Sequence, residues 1–318
     1  MPHSLDLLVI GDANPDVVVG PLDGPLAFGQ REQLVPTGTL TVGGSGAIVA
    51  CGAARLGLSV AFAGRVGDDD AGRYMRDQLD AHGVDTEALR FDPGRPTPMT
   101  VVLTRGDDRA IITAPGTLTA TTADDVPATL LKAARHVHAA SYFLMPQLAV
   151  TLPDLLRTAR RHGARTSLDT NDDPSGRWEA AGLDAVLAHT DFLLPNAAEA
   201  RRLARLDTDD PAEAAERLAL RGPVTAVKNG ADGALCHDGQ RLFTTRGIRV
   251  QPVDAVGAGD SFDAGFITAL LDETPLPEAL RFAAICGALS TRAHGGTTAQ
   301  PTRDEVLARL SETEEAPV

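Results

Sequence analysis

The run Asp254-Ala255-Val256-Gly257-Ala258-Gly259-Asp260 leads straight into an apolar helical pattern that begins at Ser261-Phe262. Small residues let the chain turn tightly and leave successive N–H groups at a helix N-terminus, an arrangement that binds an anion without a lysine. A carboxylate in the first helical turn is then held beside that anion. Phosphoryl transfer asks little more of a protein than placed donors for the charge and a carboxylate to take the hydroxyl proton. The spacing therefore assigns Asp260 as general base and the amides of Gly257, Ala258, Gly259 and Asp260 as donors to the transferred group. A plain glycine turn followed by an aspartate favoured by the helix dipole would carry the same local sequence.

Other polar clusters fall at the ends of apolar runs. Asp12-Ala13-Asn14-Pro15-Asp16 follows the run Leu5 to Ile10, at the carboxyl end of a strand, where open α/β sheets bind ligands. Polar side chains matched to hydroxyls discriminate strongly, because a mismatch leaves them unsatisfied. An ordinary polar turn is the alternative there. Asp169-Thr170-Asn171-Asp172-Asp173 ends another strand-like run and faces either phosphates and metal, or solvent as a capping loop before Pro174. His136 and His138 alternate on a strand-like run and so share a face. With no third ligand nearby they read as core or pocket histidines.

Several familiar chemistries are absent or broken. No Gly-Lys dipeptide occurs, which removes the Walker-type phosphate loop. Gly44-Ser45-Gly46 opens a helix as a dinucleotide fingerprint does, but Val49 stands in the third small position and no acidic residue follows until Asp68. An NAD-dependent oxidoreductase is thus a remote alternative. Gly43 to Ala47 nearly spells a nucleophile elbow but lacks its closing glycine.

The elements that must position these residues follow from pattern. Apolar runs at Leu5 to Ile10, Ser59 to Val66, Arg165 to Asp169, Phe192 to Leu194 and Val224 to Lys228 read as strands. Helical periodicity covers Ala47 to Leu56, Ala71 to His82 (with Gly83 as its stop), Pro153 to His162, Ala197 to Arg205, Pro211 to Leu220, Ser261 to Leu271 and Pro277 to Thr291. Such alternation predicts an α/β fold, a parallel sheet with helices on both faces. Short β-prone pieces at Val17 to Val19, Leu34 to Val35 and Thr39 to Val42, and a hairpin of Met99 to Thr104 with Ala110 to Thr113 across Gly106-Asp107-Asp108, do not fit the alternation. They predict a small sheet standing off the body as a lid, from segments of about 15–42 and 96–114 inserted in one domain spanning 1–318. The tail from Ser311 is acidic and reads as frayed.

Composition narrows the field further. The 318 residues are 43% hydrophobic and 23% charged, which suits a sizeable core, and aromatics make up only 4%. A formal charge of −14 argues against nucleic-acid binding, and any nucleotide site must draw its positive potential from amides, metal or a few placed cations. Lysine occurs only at 132 and 228, which singles out Lys228. Cys51, Cys236 and Cys286 are scattered and read as buried thiols of a reducing compartment. No leader pattern and no run of about 18 apolar residues occurs. The expectation is a cytoplasmic protein that engages no membrane.

Four ordered motifs resemble the ribokinase-like (PfkB) carbohydrate kinases. Asp254 with Gly257-Ala258-Gly259-Asp260 is similar to that family's C-terminal signature. Gly43-Gly44-Ser45-Gly46-Ala47, running on to Gly64-Arg65-Val66-Gly67-Asp68 and Gly72, resembles its N-terminal one. Asn196-Ala197-Ala198-Glu199 matches its N-x-x-E motif, and Lys228-Asn229-Gly230-Ala231-Asp232-Gly233 stands at its nucleotide-binding glycine turn. The likeness spans nearly the whole chain and implies a Rossmann-like three-layer α/β/α sandwich with a protruding β-lid.

The resemblance also implies roles. Asn196 and Glu199 would organise Mg²⁺, largely through water, around ATP; the alternative is a helix cap with a solvated glutamate. Lys228, Gly230 and Gly233 would meet phosphate or ribose, and Ala283 to Gly287 (Ala284 and Gly287 among them), with the turn at His294-Gly295, would flank adenine. Asp254 and Val256 match positions that hold a monovalent cation such as K⁺ in many members. On the acceptor side Asp12, Asn14, Asp16, Gly43 and Gly44 would meet a sugar. Ile48 stands where many members carry asparagine, and Pro146-Gln147 is not acidic where ribokinases place an acidic ligand; both count against a true ribokinase. The expected function is an ATP-dependent sugar kinase, with a nucleoside kinase or a catalytically weak sensor as alternatives and a homodimer through the lid as a candidate assembly.

Overall fold

The structure is a computed structural model and describes residues 3–106, 108–178 and 182–314. Two sheets organise it. The large one is built from β1 (Leu5–Ile10), β4 (Val60–Gly67), β5 (Leu89–Asp92), β8 (Ala134–Ala139), β9 (Arg165–Leu168), β10 (Phe192–Leu193), β11 (Val224–Lys228), β12 (Ala234–His237) and β13 (Leu242–Thr245). Its order is β13-β12-β11-β10-β9-β8-β1-β4-β5. All neighbours from β11 to β5 are parallel, and β12 and β13 add an antiparallel edge. The small sheet comes from β2 (Asn14–Gly20), β3 (Thr37–Gly43), β6 (Met99–Arg105) and β7 (Asp108–Ala114), in the order β3-β2-β6-β7.

Alternation across β1 shows how the layers form. Leu7 and Val9 enter one core, and Leu8 and Ile10 the other, all four without exposure. A strand covered on both faces reads as an unbroken apolar run, which is why this one was legible. The first core packs beneath α1 (Ser45–Arg55), α2 (Asp70–Ala81), α8 (Ala258–Leu271) and α9 (Leu276–Ser290), with Val306 of α10 (Arg303–Glu314). The second packs beneath α3 (Ala128–Ala133), α4 (Pro146–Arg161), α5 (Leu183–Leu187), α6 (Ala197–Ala204) and α7 (Pro211–Ala219). Glycines bring α8 and α9 together: a Cβ at Gly265 would fall 2.7 Å from the Cys286 sulfur, and one at Gly287 2.9 Å from the Ala258 carbonyl. Close helix contact of this kind replaces the aromatic filling that the sequence lacks.

The structure departs from the sequence expectations in places. The fourth helix starts at Pro146, not Pro153; Pro146 supplies the favourable first-turn proline and Pro153 is carried inside. Leu34 and Val35 join no strand, and Leu34 is 87% exposed. The edge hairpin β12–β13 was not expected, since its strands are only four residues each. Asp107 of the expected hairpin turn and residues 315–318 of the expected frayed tail lie outside the described residues. No helix among the described residues is long and apolar enough to cross a membrane.

Candidate active site

Gly257, whose φ of 73° is left-handed, caps helix α8 directly before Ala258. A Cβ there would stand 2.6 Å from the Gly296 Cα, so the turn has room only for glycine. Asp254 pins the same turn. Its Oδ1 accepts from the Val256 amide at 3.0 Å and its Oδ2 from the Gly295 amide at 3.0 Å. The two loops are therefore tied together beside the N-terminus of α8, and Asp260 stands in its first turn. Withdrawal from solvent pushes the Asp260 carboxyl up to about 8, with the charges of Asp169 and then Asp12 acting the same way. Lys228 and a hydrogen bond from Ser45 oppose them.

Lys228 turns inward. Its Nζ lies 2.7 Å from Asp169 Oδ2 and 3.1 Å from both carboxylate oxygens of Asp263, and its stem passes 3.5 Å from where a Gly259 Cβ would be. The carboxylates of Asp169, Asp260 and Asp263 come within 4.8 Å of one another. Burial would strip the Lys228 charge, but Asp169, Asp263 and Glu199 hold it above the usual lysine range. Burial likewise pushes Asp169 up, yet Lys228 and a hydrogen bond from Asp263 bring it below the ordinary carboxylate value. Asp263 is driven well upward by burial, against the pull of the Lys228 ammonium. Lys228, expected to meet phosphate or ribose, thus forms a buried ion pair beside the glycine turn.

The acceptor-side residues also converge. Asp12 caps α1 from 33 residues upstream, accepting from the amides of Ser45 at 3.2 Å and Gly46 at 2.9 Å. Asn14 donates to Asp16 Oδ1 at 2.8 Å and to the Thr100 hydroxyl at 3.2 Å. Gly43 pairs opposite Asn14, and a Cβ on it would fall 1.9 Å from Asp16 Oδ1, so the aspartate lies across bare backbone. Gly44 has a φ of 85° and approaches the Asp12 carbonyl closely. Burial raises the Asp16 carboxyl to about 7, with Asp12 and Asp254 adding to it.

Asn196 and Glu199 form a reciprocal cap on α6. The Glu199 amide donates to Asn196 Oδ1 at 2.9 Å, the Asn196 amide to Glu199 Oε2 at 2.9 Å, and the Asn196 carboxamide to Oε1 at 2.6 Å. Glu199 is buried, not solvated, and burial beside Asp169 raises it to about 7. Gly230 (φ 57°) stands free of close contacts, whereas a Cβ at Gly233 would strike the Thr245 carbonyl at 2.1 Å. Ala284 and Gly287 sit in the α8–α9 contact, and Ala283, Ile285 and Cys286 are interior, so the stretch expected beside adenine packs first of all against α8.

Ile48, the departure from the motif, lies beneath the Gly296 backbone, and its carbonyl accepts from Gln300 at 2.9 Å. His136 and His138 are core residues that share the Ser167 hydroxyl at 2.7 and 2.8 Å. Ser45, which reaches Asp260, and Asn171, which donates to Ser45 at 3.1 Å, stood in runs already singled out but had no role of their own there, and Asp263 went unmarked. An aspartate three residues after Asp260 in an otherwise apolar helix was the available signal for the last.

Residues 4–303 match the model of the pfkB family carbohydrate kinases. The chain is 34% identical over 271 residues to an ATP-dependent ribose-1-phosphate kinase of Halopiger xanaduensis, covering 85% of this chain and 86% of that protein. It is 30% identical over 315 residues to a ribokinase of Bacillus subtilis, covering 96% and 99%. Among solved structures, Arabidopsis thaliana ribokinase complexed with ribose and ATP superimposes with a TM-score of 0.81 at 26% identity, over 98% of this chain and 99% of that one. Fructokinase of Xylella fastidiosa with bound ATP gives 0.81 at 25% identity and the same coverage.

Proposed function

The chain belongs to the pfkB family of carbohydrate kinases and has their ribokinase-like fold, and from that premise we propose that it transfers the γ-phosphoryl group of ATP to a hydroxyl of a sugar, with Asp260 as base. The observation that carries the assignment is Asp260 in the first turn of α8, directly after a turn that only glycine can make. A carboxyl raised to about 8 is a stronger base than an ordinary aspartate once ionised, and it is matched to a hydroxyl proton that loosens as the phosphoryl group moves across. The amides of Gly257, Ala258, Gly259 and Asp260 would take the growing charge on the transferred group. Asn14 and Asp16, with Gly43 and Gly44, would hold the acceptor hydroxyls between the small sheet, acting as a lid, and the body.

Magnesium fits Asn196 and Glu199 through water, because both glutamate oxygens are spent on the cap while oxygen donors suit a hard cation. Bound there, it would neutralise phosphate charge. Gly230 and Gly233 belong to the ATP side of the site, with Ala284 and Gly287 behind it. A K⁺ ion beside Asp254 and Val256 would add positive potential next to the turn. The proposed place of action is the cytoplasm. A homodimer through the lid is supported by the row Leu40, Val17, Val101, Ile112, one face of the small sheet whose outer members are 54% and 57% exposed.

ADP release in MgATP, measured over a panel of pentoses, hexoses, sugar acids, sugar phosphates and nucleosides, tests the assignment. At least one sugar should raise ADP release well above the acceptor-free rate. Uniform background across the panel, with ATP bound, would contradict it. A nucleoside as the best acceptor would favour the second reading.

A further inference from the structure

We infer that Lys228 is a positioning residue for Asp260: with Asp169 and Asp263 it forms a buried charge cradle beneath the glycine turn that lets Asp260 work as a base. The inference rests on the kinase assignment for its consequences in turnover, but its geometry stands alone. The side chain of Lys228 is 11% exposed, that of Asp169 is 7% exposed and that of Asp263 not at all. Three elements converge to make the cluster: the end of β9, the end of β11 and the second turn of α8. The ammonium is 59 residues from one partner and 35 from the other in sequence, so the contact is tertiary and specific.

The pairing gives the cradle its role. One ammonium faces the carboxyl groups of Asp169 at 2.7 Å and Asp263 at 3.1 Å and offsets their charge directly behind a base that must itself ionise. Take the ammonium away and Asp169 is left as a bare neighbouring charge, which opposes ionisation of Asp260. Every charged neighbour bears on the same balance. Asp263 lies on α8 itself, Asp169 after β9, and Asp12 after β1. Glu199 on α6 and His138 on β8 both feel Asp169 and Lys228. Lys228 is the cation that acts on Asp260, which makes its loss distinct from loss of any one carboxylate.

The test compares Lys228→Met, Asp169→Asn and Lys228→Arg by the pH profile of kcat/KM for the acceptor and by KM for ATP. Lys228→Met should move the acid limb upward by about one pH unit. Asp169→Asn, which removes a charge in place of its counter-ion, should move it downward, and Lys228→Arg should return it toward the wild-type position. KM for ATP should change less than about threefold, within what one indirect contact moves. Loss of activity at every pH without movement of the limb would reduce the cluster to scaffolding and overturn the inference. A large rise in KM for ATP with an unmoved limb would put Lys228 on the phosphates after all. Should Lys228→Met not fold, the downward movement in Asp169→Asn decides. Direct titration of the Asp260 carboxyl by ¹³C NMR, in protein without substrates, must show the same displacements. That readout survives failure of the kinase assignment, which would show instead as a wild-type protein that phosphorylates nothing.

Discussion

The two halves of the site handle negative charge in opposite ways. On the α8 side the proposed donors are main-chain amides, and the carboxylates behind them are paired with Lys228. On the side expected to meet the acceptor, burial and the charges of Asp12 and, across the site, Asp254 raise Asp16 to about 7. An anion such as a phosphate suits the first half. The second sets the carboxyl of Asp16, which accepts from Asn14 alone among the side chains described above, beside bare backbone, where the hydroxyl donors of a polyol would suit it. The lesson is that in a strongly acidic chain a buried lysine can offset the carboxylates behind a helix N-terminus and leave the positive potential there to the backbone.

The contrast is broken most severely at the turn. Gly257→Val drives a side chain into the Gly296 backbone and distorts the amides, so ATP affinity should fall about 10- to 100-fold, the worth of one charge-assisted hydrogen bond at about 1.5–3 kcal/mol. Calorimetric titration with ATP checks it; unchanged affinity would remove the anion site from this turn. On the other half, Gly43→Ala displaces Asp16, and kcat/KM for the acceptor should drop about tenfold, the loss of one good hydrogen bond, while ATP affinity stays at the wild-type value. Steady-state kinetics with each substrate varied separates the two.

Asp16→Asn sharpens the comparison through stability. A carboxyl raised from 3.8 to about 7 binds more protons folded than unfolded, so its contribution is lost as pH rises between those values. Melting curves should show the variant gaining a few degrees on the wild type from pH 4 to pH 8. An unchanged difference would mean that Asp16 is not held in an acidic, desolvated field. The smallest effect is expected from replacing K⁺ with a bulky organic cation. Turnover should fall only several-fold, because amides and magnesium carry most of the charge; complete insensitivity would remove the cation from Asp254 and Val256.

What was legible in the sequence follows from locality. The glycine turn, the strand ends at Asp12 and Asp169, and the cap Asn196–Glu199 are each written within a few residues, and each is formed in the structure. The pairing of Lys228 is not local. Its partners lie in remote segments, and a lysine at a strand end looks the same whether it faces solvent, phosphate or two aspartates. Pro153 misled because a proline marks a helix start by local preference, whereas here the packing of Leu148 and Leu152 against the second core extends the helix before it. Exposure of the small sheet was legible from its failure to alternate with helices, but not its strand order, which joins β2 to β6 across more than eighty residues.

The central claim is best tested by one substitution. Asp260→Asn keeps the shape of the side chain and the α8 turn, and turnover should fall by roughly 10²–10⁴-fold, the usual contribution of a general base, with ATP affinity retained. Turnover near that of the wild type in a protein that still binds ATP would contradict it.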